Sequence, residues 1–262
     1  MSLATMPVWA AKRIQMESTD LTKNTTKPRE ILLDADRLRV NEGDTSVMFL
    51  TKGGNRLVML NKTRNEYQEL DQAAMDAMGQ QLAGAMSQMD AMLKGMPPAQ
   101  RAQMEQMLKG KMPAASSTPA ASTTYTAKGP GTVNGFRCTN YDGTRGGQKV
   151  SEVCAAQMAD VKISPSDFQV MEKMREFMSG MLKAMQNSPF AGMMSGASIT
   201  QAGINGLPVQ TTTFNNGQAT QREQVKAVQD ATLTDADFST GTAKKTDMLG
   251  MGAAGRGAAK GK

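Results

Sequence analysis

Short segments of alternating apolar and polar residues, separated by tight turns, fill the first part of the chain. Turns this short join antiparallel neighbours, because a parallel connection needs a crossover of about a dozen residues or more. The clearest of these turns is Lys52-Gly-Gly-Asn55, which is typical of a β-hairpin. The sequence therefore predicts an antiparallel meander, not a parallel sheet. Its strands are predicted at 12–19, 30–33, 37–40, 45–51, 56–61 and 66–70.

The hydrophobic period then changes to that of a helix. Apolar residues at three- and four-residue steps predict a helical hairpin over 71–111, with Asp71 as its N-cap and Pro97-Pro98 as the break between its two helices. A third helix is predicted to run from Ser164 to about Gln186, because Ser164 can cap and Pro165 suits the first helical position.

Strands resume after residues 112–123, a low-complexity segment that we expect to be a flexible linker. Asn216-Gly217 is a strong type I′ turn signal between the last two strands. Residues 11–240 are thus predicted to form one α+β domain. We expect a curved antiparallel sheet, an open half-barrel of roughly nine to eleven strands, packed on three methionine-rich helices. The later strands are predicted at 124–127, 132–141, 149–155, 207–214 and 219–228.

Cys138 and Cys154 lie in strand-like segments on either side of Gly146-Gly147. A turn centred on Gly146 would place them directly opposite each other, with Cβ atoms about 4.5–5.5 Å apart, so a modest adjustment would allow a disulfide. Such a bond would stabilise the fold by roughly 3 kcal/mol and indicates an oxidising compartment. A free buried pair and a redox-active dithiol are the alternatives, although the spacing is not C-x-x-C.

The chain has no histidine, which removes the commonest general base and the commonest metal ligand. Serine-histidine and cysteine-histidine catalysis and histidine-bearing zinc sites are therefore excluded. The carboxylate pairs Asp34/Asp36 and Asp235/Asp237 lie in turns or at strand ends, where a solvated turn is the typical role. We expect no enzyme, no cofactor and no catalytic residues.

Seventeen of the 24 methionines lie in residues 75–112 and 158–194. They could fill an irregular core, line an apolar ligand groove, or bind a soft metal such as Cu(I). Met-x-x-Met steps favour the metal only weakly, because any amphipathic helix has them, and no metal ligand is assigned. The candidate ligand-binding residues are Met78, Met86, Met89, Met171, Met174, Phe177, Met178 and Met181.

The formal net charge of +6 is concentrated near the C-terminus, where five basic residues and one acidic residue follow Ser239. Residues 241–262 are predicted to be a disordered basic tail, able to make weak contact with an anionic surface. No platform for nucleic acid occurs, and no apolar run approaches the ~20 residues of a membrane span. Residues 1–10 are expected to be a leader remnant or a ragged terminus.

Several short motifs resemble a known family. They are Asp36-Arg-Leu-Arg39, Tyr67-Gln-Glu-Leu70, Val133-Asn-Gly-Phe-Arg-Cys-Thr-Asn-Tyr141, Glu152-Val-Cys-Ala-Ala156 and Asp167-Phe168. Over about residues 11–240 the chain resembles the exported bacterial family known as domain of unknown function 4412, which is similar to the periplasmic lipoprotein carriers. The resemblance implies an exported, non-enzymatic protein with an open half-barrel over helices, and it brings no catalytic residues with it.

These observations together predict an exported, periplasmic envelope protein that has a signal peptide and binds or scaffolds without catalysis. Its expected partner is an apolar or lipidic ligand, or a helix of another envelope protein. A Cu(I)-handling protein and a structural interaction module without a ligand are the alternatives. Exposure of the methionines distinguishes them, because a methionine-lined cleft that stays open favours a ligand.

Overall fold

The computed structural model describes residues 11–95, 97, 123–164, 167, 169–185 and 203–246. These residues form one twelve-stranded sheet with two α-helices and a short 3₁₀ helix. The helices are α1 (Gln72–Gly95), α2 (Gln169–Met185) and the 3₁₀ helix Asp235–Phe238. The strands are β1 (Ala11–Asp20), β2 (Thr25–Leu33), β3 (Arg37–Glu42), β4 (Thr45–Leu50), β5 (Arg56–Asn61), β6 (Glu66–Asp71), β7 (Thr124–Val133), β8 (Phe136–Arg145), β9 (Gln148–Ala156), β10 (Leu207–Asn215), β11 (Gln218–Ala231) and β12 (Lys244–Lys245).

Two meanders lie side by side in the sheet. The spatial order is β12-β6-β5-β4-β3-β2-β1-β11-β10-β9-β8-β7, and the pairing of β1 with β11 joins the two halves. All neighbours are antiparallel except β12, which runs parallel to β6. The sheet is open, since β12 and β7 lie at its two ends. The predicted antiparallel meander is therefore confirmed, with twelve strands where nine to eleven were expected. The described residues are mostly β, with two α-helices where the α+β prediction had three.

The turn between β7 and β8 lies at a different place from the one predicted. Residues 132–141 were predicted as a single strand, but the chain turns at Asn134-Gly135 and separates β7 from β8. Asn134 has a φ of 50° and Gly135 a φ of 85°, the left-handed values that a type I′ turn requires. The strand beyond the eleven predicted is β12, which lies inside the segment that was predicted to be a disordered tail.

Helix α1 begins where the sequence predicts, whereas α2 begins at Gln169, five residues after the predicted start at Ser164. The Asp71 carboxylate accepts a hydrogen bond from the backbone N–H of Ala74 at 2.7 Å, which makes it the N-cap of α1. Ahead of α2, the N–H of Ser164 donates to the Asp167 carboxylate at 2.8 Å and the N–H of Asp167 donates to the Ser164 hydroxyl at 3.3 Å. The helix predicted after Pro98 and nearly all of the predicted linker lie outside the described residues.

The disulfide between Cys138 and Cys154 is present, with Cα atoms 5.5 Å apart. Its predicted register is wrong, because Asn140 and not Cys138 lies opposite Cys154. The turn is centred between Gly146 and Gly147, and one extra residue forms a bulge where Thr144 pairs with Lys149. Together these shift the register by two residues, which keeps both cysteines on one face of the hairpin and makes them diagonal neighbours.

The two faces of the sheet carry separate cores. The helix face, defined as the side that bears α2, contains a cluster that includes Ile14, Leu33 and Phe49 of the sheet and Phe177 of α2. The rings of Phe49 and Phe177 lie 5.6 Å apart, so this aromatic contact holds the helix to the sheet. On the opposite face, buried side chains of β2, β4 and β5 pack against Phe238.

Residues 232–246 form a strap across that opposite face. The guanidinium of Arg37 lies 4.2 Å from the centre of the Phe238 ring, and Arg39 donates to the backbone carbonyl of Asp237 at 2.8 Å. The strap then pairs with the edge of the sheet, where the N–H of Thr246 donates to the carbonyl of Tyr67 at 2.8 Å. Residues up to Thr246 are therefore part of the domain, which corrects the predicted boundary at residue 240.

Acid should destabilise this fold below about pH 4. Four carboxylates have a pKa below the ordinary value of 3.8 because each accepts hydrogen bonds, and the unfolded chain therefore binds more protons than the folded one in this range. Their contribution is fully present above pH 3.8 and is lost as the pH falls through the lowered pKa values. The four are Asp20, Asp142, Asp230 and Asp237.

Urea unfolding between about pH 6 and about pH 3 measures this dependence through the midpoint concentration. We expect a constant midpoint down to about pH 4 and a fall below it. The Asp142→Asn variant should show a shallower fall, because the hydrogen bond from Lys149 is the largest cause of the lowered pKa of Asp142. An unchanged midpoint at the lowest pH, or the same slope in the variant, would contradict this assignment.

Candidate ligand-binding face

The register of β1 to β5 arranges the side chains of the helix face in rows that run across the strands. The buried row contains Leu33, Leu38, Phe49 and Leu57, which are direct partners on consecutive strands. The open row contains Ile14, Ile31, Val40, Val47 and Met59. The charged row follows with Met16, Arg29 and Glu42. Successive rows lie two residues apart along each strand, about 6.7 Å.

Helix α2 covers the buried row. Phe49 is completely buried and Leu38 is 3% exposed, and both belong to the same cluster as Phe177. At the end of the helix nearest the turn between β2 and β3, the ammonium of Lys173 lies 3.6 Å from the carboxylate of Asp36. The described residues on this side of the face therefore form a packed core.

The open row is apolar along its whole length but is not fully covered. Ile14 is buried, whereas Ile31, Val40 and Met59 are half-buried. Val47 is 38% exposed and is the only exposed large apolar side chain in the described part of the chain. Five strands contribute to the row, so it extends for about 19 Å across the sheet.

The charged row closes the far side of the open row. Arg29 donates to the carboxylate of Glu42 at 2.6 Å and to that of Glu223 at 2.8 Å. Burial opposes the charge of this guanidinium, but the hydrogen bonds to the two carboxylates leave the pKa of Arg29 above its ordinary value. Both charged residues of this row, Arg29 and Glu42, have a partner. The apolar open row is therefore bordered by a row of paired charges.

The structure brings four of the predicted ligand-binding residues to this face. Met171, Met174 and Met178 are half-buried against the helix-face core, and Phe177 is buried within it. Met78, Met86 and Met89 lie along α1 and Met181 lies near the end of α2, but their side chains are outside the described part of the structure. Whether these residues bind a ligand stays a prediction.

Sequence reasoning missed the strand residues of the site. Ile31, Val40, Val47 and Met59 are spread over four strands, and nothing in their spacing along the chain relates them to one another. The signal that could have found them is the register, because the short turns before β3, β4 and β5 determine which side chains are opposite each other.

Two general properties of the described residues bear on the predictions. No group of three or more histidine, cysteine, aspartate or glutamate side chains in the described ranges is arranged to hold a metal ion. Cu(I) binding by the methionine thioethers stays a prediction. None of the helices described is both long and apolar enough to cross a membrane.

No family model matches the sequence, and no curated protein matches it, so the resemblance to the domain of unknown function 4412 family stays a prediction. Several solved structures match most of this chain at low identity. An uncharacterized conserved protein from Thermus thermophilus is 8% identical with a TM-score of 0.45, over 92% of this chain and 91% of that chain.

Two further solved structures have lower TM-scores. The Pseudomonas aeruginosa MucA/MucB complex is 10% identical with a TM-score of 0.35, over 89% of this chain and 57% of that chain. An outer membrane lipoprotein-sorting protein domain from Vibrio parahaemolyticus is 8% identical with a TM-score of 0.28, over 89% of this chain and 91% of that one. At these TM-scores none of them assigns a function to this chain.

Proposed function

We propose that this protein binds an apolar ligand without catalysis, on the strip of the helix face that the open row forms between α2 and the charged row, named the trough. The observation that carries the proposal is the half-exposed apolar row that crosses five strands between α2 and the charged row. Removing apolar surface from water is favourable by about 25 cal/mol per Å². A ligand that covers Ile31, Val40, Val47 and Met59 therefore gains free energy from a surface that is already in place.

The width of the trough favours an extended acyl chain over a partner helix. The open row is a single row, and the neighbouring rows lie only about 6.7 Å away on each side. A helix with its side chains is about 10–12 Å across, so it would collide with α2 or press on the ion pairs of Arg29. A single hydrocarbon chain fits within one row and can follow its length.

The methionines of α2 suit the same ligand. Met171, Met174 and Met178 are half-buried beside the packed core, and unbranched thioether side chains adapt their shape to what they contact. Such a wall accepts chains that differ in length or unsaturation. We infer that the protein binds a class of lipidic ligands and not one molecule of fixed shape.

The disulfide supports export as part of the same proposal. A cross-link between β8 and β9 forms and persists in an oxidising environment. The absence of histidine fits a role that needs no proton transfer. We therefore propose that the protein carries or holds a lipidic molecule in the bacterial envelope.

Replacing Val47 with glutamine tests the proposed trough. Val47 is 38% exposed, so the substitution should leave the fold intact while it places a polar group on the apolar floor. We expect binding of the neutral apolar dye Nile red, measured by fluorescence titration, to weaken about fivefold to tenfold. Long-chain fatty acids should displace the dye from the unaltered protein.

The matched control is Ala127→Gln, which introduces the same side chain at an exposed position of the distant strand β7. This variant should bind the dye as the unaltered protein does. Equal affinity of all three proteins, or absence of any saturable binding, would contradict the proposal.

A further inference from the structure

A lysine lies on the apolar helix face at the end of the buried row. Lys12 is directly opposite Leu33 on β2 and Asp230 on β11, and its side chain is only 10% exposed. It precedes Ile14, the first residue of the open row, by two positions on β1, so the two side chains lie on the same face about 6.7 Å apart. A buried ammonium at the end of an apolar row requires an anion nearby.

The anion that Lys12 contacts is poorly suited to hold it permanently. The Lys12 ammonium lies 2.5 Å from the carboxylate of Asp230, but the Asp230 side chain is 72% exposed. The hydrogen bond from Lys12 is the main reason that the pKa of Asp230 lies below its ordinary value. Because the Asp230 side chain is largely in water, it can turn away from the sheet once another anion pairs with Lys12, whereas Lys12 cannot leave its buried position.

A second lysine adds positive charge at the same place. Lys162 is exposed and close enough to Asp230 to contribute to its lowered pKa. Its neighbours Val161 and Ile163 are both buried in the helix-face cluster, and its φ is 56°, an uncommon value for a residue other than glycine. Lys162 thus adds positive charge near the carboxylate that pairs with Lys12, at this end of the open row.

We propose that Lys12 and Lys162 bind the anionic head group of the acyl ligand, a carboxylate or a phosphate, which takes the place of Asp230. This inference rests on the proposed function and names the chemistry of its ligand. The hydrocarbon chain then begins beside Ile14 and runs along the open row toward Met59. The head group accepts hydrogen bonds from both Lys12 and Lys162, so it adds to the free energy that burial of the chain provides.

Binding of three amphiphiles with matched chains tests the assignment by calorimetric or dye-displacement titration below their micelle concentrations. The probes are palmitate, palmitoyl lysophosphatidic acid and neutral monopalmitoylglycerol. We expect at least one anionic probe to bind about tenfold more tightly than the neutral one, since hydrogen bonds to charged groups are stronger than those between neutral groups. Comparison of the two anionic probes identifies whether a carboxylate or a phosphate is preferred.

Two substitutions with opposite expected effects separate a binding role from a structural one. Lys12→Gln should weaken the anionic probes about tenfold and leave the neutral probe unchanged. Asp230→Asn should tighten the anionic probes, because it removes the competing carboxylate and changes only an exposed side chain. Lys128→Gln, which removes an exposed lysine on β7, is the control and should leave all three affinities as they are.

Equal binding of neutral and anionic probes to the unaltered protein would overturn the inference and leave the proposed function standing. Equal weakening of all three probes by Lys12→Gln, or no tightening in Asp230→Asn, would also overturn it. Failure of every probe, together with failure of Nile red, would overturn both proposals.

Discussion

Replacing Phe49 with alanine should lower the free energy of unfolding by about 3–5 kcal/mol. Phe49 is completely buried in the middle of the buried row, so the substitution removes a large apolar side chain and leaves a cavity beneath α2. Its ring also contacts that of Phe177, with centres 5.6 Å apart. Urea unfolding followed by circular dichroism measures the loss.

A double-mutant cycle of Phe49→Ala with Phe177→Ala tests whether α2 packs on the sheet through the contact between these two rings. The two aromatic rings should couple by about 0.5–1.5 kcal/mol beyond their separate contributions. Phe214→Ala is the control, because Phe214 is only half-buried and lies on the distant strand β10, so its loss should be smaller and additive with that of Phe49. An additive result for Phe49 and Phe177 would mean that the helix does not pack on the buried row.

Removing the disulfide should have the next largest effect, about 3 kcal/mol of unfolding free energy. The bond closes a loop between residues 16 positions apart and belongs to the helix-face cluster. In the chain-entropy account its loss restores conformational freedom to the unfolded chain, while the β8–β9 hairpin itself remains paired. The double variant Cys138→Ala/Cys154→Ala measures this in urea without leaving a free thiol.

The oxidised and reduced forms of the unaltered protein provide the control for that measurement. Dithiothreitol should lower the unfolding midpoint of the unaltered protein and leave that of the double variant unchanged. A double variant as stable as the oxidised protein would show that the cross-link contributes nothing. Two free thiols in protein purified from an oxidising compartment would contradict the bond itself.

The sheet could be predicted from the sequence wherever alternation and turn residues agree. Alternating apolar residues and short turns predict β1 to β6 to within a few residues. The exceptions have local causes. Alternation continues through Asn134-Gly135 and masks the turn there, while the bulge near Thr144 depends on how two strands pair and leaves no trace in either strand alone.

The candidate site was only partly predictable for a related reason. The methionines of α2 stand out because helical residues that share a face recur at fixed spacing along the chain. Residues that share a row across a sheet recur at no fixed spacing, so Ile31, Val47 and Met59 emerge as neighbours only from the register. Lys12 was overlooked in the same way, because its importance lies in the apolar partners that the strands bring to it.

Photo-crosslinking with a diazirine-bearing fatty acid tests most directly whether the open row binds an acyl chain. Neighbouring residues on each strand face opposite sides of the sheet, so residue-level mass spectrometry distinguishes the two faces. We predict label on Ile31, Val40, Val47 and Met59, and its loss when unlabelled fatty acid is added in excess. Label on Leu32, Arg39, Met48 or Val58 of the opposite face, or label that excess fatty acid does not remove, would contradict the account.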